Sequence, residues 1–136
     1  MEREKMILDA SVIVKWFTRE EKREEALRYR EMFINDEIEI VVPDLILYEI
    51  GNALRYNPSF NDEDVRLAVR SLIDLGINII IPTTEILDMA INLAFKYDTT
   101  LYDSVYLALA EILNDTLVTA DKNLYDKTKE KNIKIL

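Results

Sequence analysis

The chain of 136 residues has no cysteine, no histidine and no glutamine, and only two glycines and three prolines. Without cysteine there are no disulfides, thiolate metal sites or thiol nucleophiles. Without histidine there is no Ser-His-Asp triad, no zinc site of the His-Glu-x-x-His type and no imidazole base. Gly51 and Gly76 cannot make a P-loop or a dinucleotide fingerprint. No apolar run is long enough to span a bilayer, and the charged residues 1–5 lead straight into an apolar stretch rather than a signal sequence. An intracellular, cytoplasmic protein with no membrane association is the expectation. Chemistry in such a chain falls to carboxylates, hydroxyls, amines or a bound ion.

What is present is a globular composition, 49% hydrophobic and 32% charged, of a length expected to fold as one domain over residues 1–136. The 26 acids outnumber the 17 bases, for a net charge of −9. Phosphate contacts usually come from a basic surface, so this balance argues against nucleic-acid binding unless several acids converge on cations and reverse the local charge. Abundant Glu, Lys and Ile without glutamine is a thermophile-like composition.

Hydrophobic periodicity predicts strands at 5–8, 38–42, 78–81, 116–119 and 133–136, and helices at 12–17, 19–34, 44–56, 62–75, 83–97, 101–113 and 121–131. Ser11 is placed to cap the first helix, Asn61 the fourth, and Gly76 to end it. The strands are apolar runs rather than alternating ones, and they alternate with helices. This implies an α/β fold with a parallel sheet covered on both faces.

Four acids break the pattern around them. Asp9 ends the first strand and stands before a helix, where strand-end groups of α/β sheets face the ligand crevice; a plain N-cap is the alternative. Glu49 lies in a helix whose neighbours Leu45, Ile46, Leu47, Ile50, Ala53 and Leu54 predict burial nearly all round, so a carboxylate there needs a counter-charge, whether a structural Arg or Lys or a ligand. Asp103 completes a Thr100-x-x-Asp103 capping-box pattern but shares its helix face with Tyr106, Leu107 and Ala110. Asp121 repeats the placement of Asp9 after the fourth strand, again with an N-cap as the alternative. Right-handed crossovers can bring all four to one sheet edge. An all-oxygen cluster of this kind selects a hard divalent cation, Mg²⁺ or Mn²⁺.

These residues also carry a family likeness. Leu8-Asp9-Ala10-Ser11-Val12, Glu49-Ile50-Gly51-Asn52-Ala53-Leu54, Tyr102-Asp103-Ser104 with Tyr106-Leu107-Ala108-Leu109-Ala110, and Val118-Thr119-Ala120-Asp121, in that order, resemble the PIN-domain family and within it the VapC-type toxin ribonucleases. The resemblance implies a five-stranded parallel sheet of order 3-2-1-4-5 with helices on both faces. It implies a metal-dependent endoribonuclease whose acidic quartet is Asp9, Glu49, Asp103 and Asp121, with Ser11 and Thr119 as adjoining hydroxyls and Asn52 as a polar neighbour of the glutamate. A homodimer and a small antitoxin partner are implied as well. On that basis Asp9 and Asp103 would be the principal Mg²⁺ or Mn²⁺ ligands, with Glu49 and Asp121 completing the site or holding a second ion. Glu49 or Asp121 would take a proton from water; Lys15, Arg19 and Lys122 lie near the acids in sequence and are candidates to steer the RNA backbone, with solvated surface charge the favoured alternative for each.

Two rival readings share the fold class. A non-catalytic metal- or partner-binding module would keep the acidic pocket without turnover. A receiver-like phospho-acceptor domain would need an acid where the third strand ends, and Pro82-Thr83 stands there instead.

Overall fold

The computed structural model describes residues 3–129 and 131–136. Five parallel strands form one sheet of order β3-β2-β1-β4-β5, with β1 Glu4–Leu8, β2 Ile38–Pro43, β3 Asn78–Ile80, β4 Thr116–Thr119 and β5 Ile133–Ile135. β1 is central, its Met6 opposite Ile40 on one side and Thr116 on the other. Successive side chains of a strand point to opposite faces, and Met6, Ile7 and Leu8 are all buried, so both faces of β1 are covered. That is the packing the uninterrupted apolar runs predict.

The helices are α1 Ala10–Ile13, continued by a 3₁₀ turn at Val14–Trp16, then α2 Arg23–Ile34, α3 Leu45–Arg55, α4 Asp62–Asp74, α5 Thr84–Tyr97, α6 Leu101–Leu113 and α7 Lys122–Thr128. The most apolar of them, α6, buries every residue from Ser104 to Ala110 and packs against β1, β2 and β4. Its N-terminus therefore stands over the carboxyl ends of the central strands.

The ends of several elements follow from named residues. Asn61 and Asp64 make a reciprocal capping box at the start of α4, and Gly76 (φ +87°) takes the left-handed conformation after its end, which glycine adopts without steric cost. Asp98 and Asn114 close α5 and α6 in the same conformation.

Four expectations are corrected. Ser11 is not the cap of the first helix: Asp9 is, its side chain accepting from Val12 N, and Ser11 lies one residue inside. The helix expected from residue 19 begins at Arg23. Lys22 sits at φ +63°, and Thr18 bonds both the Val14 carbonyl and the Glu20 carboxylate, which holds residues 17–22 as turns. Nor is α3 buried all round. Ile46, Ile50 and Leu54 face the core, while Tyr48 is 75% exposed and Asn52 and Ala53 lie at the surface. The helix expected over 121–131 ends at Thr128, and Glu130 in that stretch, like Met1 and Glu2 in the charged leader, lies outside the described residues.

Candidate functional site

Asp9 is the first residue beyond the central strand. Its backbone N–H donates to the Val118 carbonyl at 3.3 Å, fixing the strand end against β4, and its carboxylate accepts from Val12 N at 3.3 Å. The N-cap reading and the strand-end reading are both realised in this one residue. A surface cap would be solvated, but Asp9 is only 5% exposed.

A chain of hydroxyls converges on it. Ser11 Oγ donates to Asp9 Oδ1 and accepts from Ala120 N at 2.8 Å. Thr119 Oγ1 lies 3.3 Å from Ser11 Oγ and accepts from Asp121 N at 3.1 Å. A hydroxyl has one proton to give; that of Ser11 goes to Asp9, and the Thr119 hydroxyl lies beside both Ser11 and the Asp9 carboxylate. These hydrogen bonds converge on the Asp9 carboxylate and link β1, β4 and the start of α7. Asp121 caps α7 through its own side chain, which accepts from Leu124 N at 3.1 Å, and is exposed.

Asp103 and Glu49 come from the other side. Thr100 caps α6, its hydroxyl accepting from Asp103 N at 3.1 Å. The return bond of a capping box, from the Thr100 amide to Asp103, is not made, in contrast to α4. The Asp103 carboxylate takes its hydrogen bond from the Thr100 side chain instead. Glu49, half-buried on α3, accepts a 2.6 Å hydrogen bond from the Tyr106 hydroxyl of α6. Tyr106 is 1% exposed. In the sequence it reads as core, because nothing local connects it to a glutamate 57 residues away.

The electrostatics tie the acids together. Burial, offset in part by the Ser11, Thr119 and Val12 hydrogen bonds and reinforced by the charge of Asp103, pushes the Asp9 carboxyl up to about 6 from an ordinary 3.8. Burial also raises Glu49, helped by the charges of Asp103 and Asp9, while the Tyr106 bond opposes the rise. Asp103 is raised by burial and by Asp121, and lowered by Thr100 and the Lys127 cation. Asp9 thus feels the charge of Asp103, Glu49 feels both Asp103 and Asp9, and Asp103 feels Asp121.

The remaining expected residues divide. Asn52 is exposed on the turn after Glu49. Lys15 points to Glu20 at 3.9 Å and is neutralised there, whereas Arg19 and Lys122 are exposed. Lys127, which the sequence reading passed over, donates to the Asp98 carbonyl at 2.8 Å and is the cation whose field reaches Asp103. A groove of about 610 Å³ runs along α4, lined by Arg55, Phe60, Val65 and Arg70 among others, and includes none of the four acids.

A divalent cation suits this pocket by donor chemistry. The groups are carboxylate and hydroxyl oxygens, and uncompensated acids held up by burial gain from a counter-charge. Among the described residues no three acids already stand close enough to clasp one ion. Mg²⁺ does not require such a cage, since it keeps several of its waters and takes one or two carboxylates.

Known proteins bear on the whole chain. It is 29% identical over 127 residues to Ribonuclease VapC3 of Pyrobaculum aerophilum, covering 90% of this chain and 94% of that protein. Among solved structures it resembles VapBC2 of Rickettsia felis bound to a promoter DNA fragment (TM-score 0.73, 12% identity, 97% and 98% of the two chains). It also resembles a toxin–antitoxin complex from Klebsiella pneumoniae (TM-score 0.71, 15% identity, 95% of each chain). At those identities the structural likeness speaks for the fold. A PIN domain model matches residues 6–130, a span that includes all four acids, and the chain belongs to the PIN domain family.

Proposed function

We propose that the chain is a metal-dependent endoribonuclease that hydrolyses RNA phosphodiesters, and that it is the toxin of a toxin–antitoxin pair, restrained by a small antitoxin protein. The observation that carries the chemistry is the approach of three partly or wholly buried acids, in which the charge of Asp103 raises Asp9 and the charges of Asp103 and Asp9 raise Glu49. The names of the relative and of the structural neighbours support the ribonuclease and toxin–antitoxin parts.

Asp9 and Asp103 would hold Mg²⁺ or Mn²⁺, with Glu49 and Asp121 beside them. The chemistry such an ion supplies is acidification of a water molecule and screening of the charge that develops on phosphate. The chain's own residues do the rest. The Ser11 and Thr119 hydroxyls both hold the Asp9 carboxylate, fixing its direction and favouring its ionised form. Glu49, its carboxyl raised by burial, is the acceptor for the proton that water gives up, a role that falls to a carboxylate in a chain without histidine. Lys127, beside Asp103, offers a positive charge toward the phosphate.

The proposed assembly is a homodimer. Leu87, Ile91 and Phe95 follow one another at four-residue spacing on α5 and are 38%, 44% and 87% exposed, an apolar stripe of the kind that marks an interaction site.

The test is cleavage of a mixed RNA pool with Mg²⁺, with Mn²⁺ and with EDTA, by the wild-type chain and by Asp9→Asn. Products with metal, none with EDTA and none from Asp9→Asn are expected. Mn²⁺ binding with no product from any RNA would establish the non-catalytic module instead.

A further inference from the structure

The four acids are not held alike. Asp9 and Asp121 each bond the first turn of the helix they cap, and Asp103 sits in the first turn of α6, beside its Thr100 cap. Glu49 lies in the middle of α3, where backbone amides are already spent on the helix, and its side chain has one more rotatable bond than an aspartate. What fixes it is a group from another element, the Tyr106 hydroxyl at 2.6 Å. That hydroxyl is itself immobile. Tyr106 is among the largest fully buried side chains, in a stretch of α6 without an exposed residue from Ser104 to Ala110. It also lies one helical turn beyond Asp103, so α6 contributes one carboxylate directly and aligns a second from α3.

We propose that Tyr106 is a positioning residue for Glu49: its phenol occupies Oε1, selects the side-chain rotamer that faces Asp9 and Asp103, and leaves Oε2 for the metal ion or the water. The inference rests on the reading of Glu49 as part of a metal-dependent nuclease site. A buried tyrosine also needs a partner for its hydroxyl simply to be stable, so the test must separate alignment of Glu49 from satisfaction of the phenol. Partners of this kind behind a metal ligand are typically worth about 10–100-fold in affinity or activity.

The full chain is compared as wild type, Tyr106→Phe, Glu49→Gln and the double variant. Mn²⁺ affinity is read by calorimetry, RNA cleavage as separate kcat and KM, and melting in EDTA by circular dichroism. Tyr106→Phe is expected to bind Mn²⁺ about ten-fold more weakly and to lower kcat by a similar factor with KM for RNA unchanged. It should melt close to wild type and add nothing to the loss in the Glu49→Gln background. A Tyr106→Phe chain that binds Mn²⁺ and cuts like wild type while Glu49→Gln is impaired overturns the positioning role. So does a loss that persists undiminished in the double variant, or a melt that collapses, since each then owes nothing to Glu49. Failure of the nuclease reading has a different signature: wild type that neither binds Mn²⁺ nor cuts.

Discussion

Asp9 carries two roles whose energetic demands conflict. Its carboxylate caps α1 and is held by the Ser11 and Thr119 hydroxyls, both of which favour charge, yet its burial opposes charge more strongly and leaves the carboxyl near 6. Because the folded-state value lies above the ordinary 3.8, the metal-free fold is favoured by the protonated form. That contribution is complete below about pH 4 and is lost as pH rises through about 6, and it is worth on the order of 3 kcal/mol. Asp9→Asn should abolish cleavage while raising the stability of the chelated protein at pH 7 by on the order of 3 kcal/mol, with the difference closing at pH 4. Urea unfolding in EDTA at the two pH values checks it. Equal stability of the two chains at pH 7 would mean that the carboxylate is better solvated than its burial indicates.

At the scale of the element, α6 shows how a cap becomes part of a site. Thr100 accepts from the Asp103 amide, so it sets both the start of the helix and the place from which the carboxylate projects. Thr100→Ala should cost about 1 kcal/mol of stability. It should lower cleavage by more than that loss of folded protein explains, a comparison of denaturant midpoint with kcat per folded molecule. Most element positions were legible from periodicity, because parallel strands are apolar on both faces and their helices follow with recognisable caps. The errors have local causes. Ser11 looks like a cap because serine usually is one, but Asp9 before it competes for the same amides and wins, leaving Ser11 free for Ala120. The continuous charge of residues 19–25 looks helical, but the tie between Thr18 and Glu20 and the left-handed Lys22 stop the helix short. The face of α3 around Glu49 was misjudged because one sequence reveals which residues share a helical face, not how much of it a neighbour covers. Tyr106 was invisible for a related reason: its partner is distant in the chain, and its own neighbours are all core.

For the whole molecule, the apolar stripe of α5 is the surface on which assembly is proposed to depend. Phe95→Glu is expected to move the protein from dimer to monomer in size-exclusion chromatography with light scattering, with helical content unchanged; a dimer that survives at micromolar concentration would place the interface elsewhere. The sheet order has a further consequence. Asp9 directly follows the central strand, but the residues that brace it, Thr119, Ala120 and Asp121, come from the end of β4 and the residues just after it, more than a hundred positions later. Pairing across such a separation closes late, after local helices have formed. During translation, where chains emerge N-terminal end first, Asp9, Glu49 and Asp103 leave the ribosome before the strand that locks Asp9 into place. On the proposed nuclease reading, the site of a nascent chain would thus stay incomplete until β4 docks beside β1.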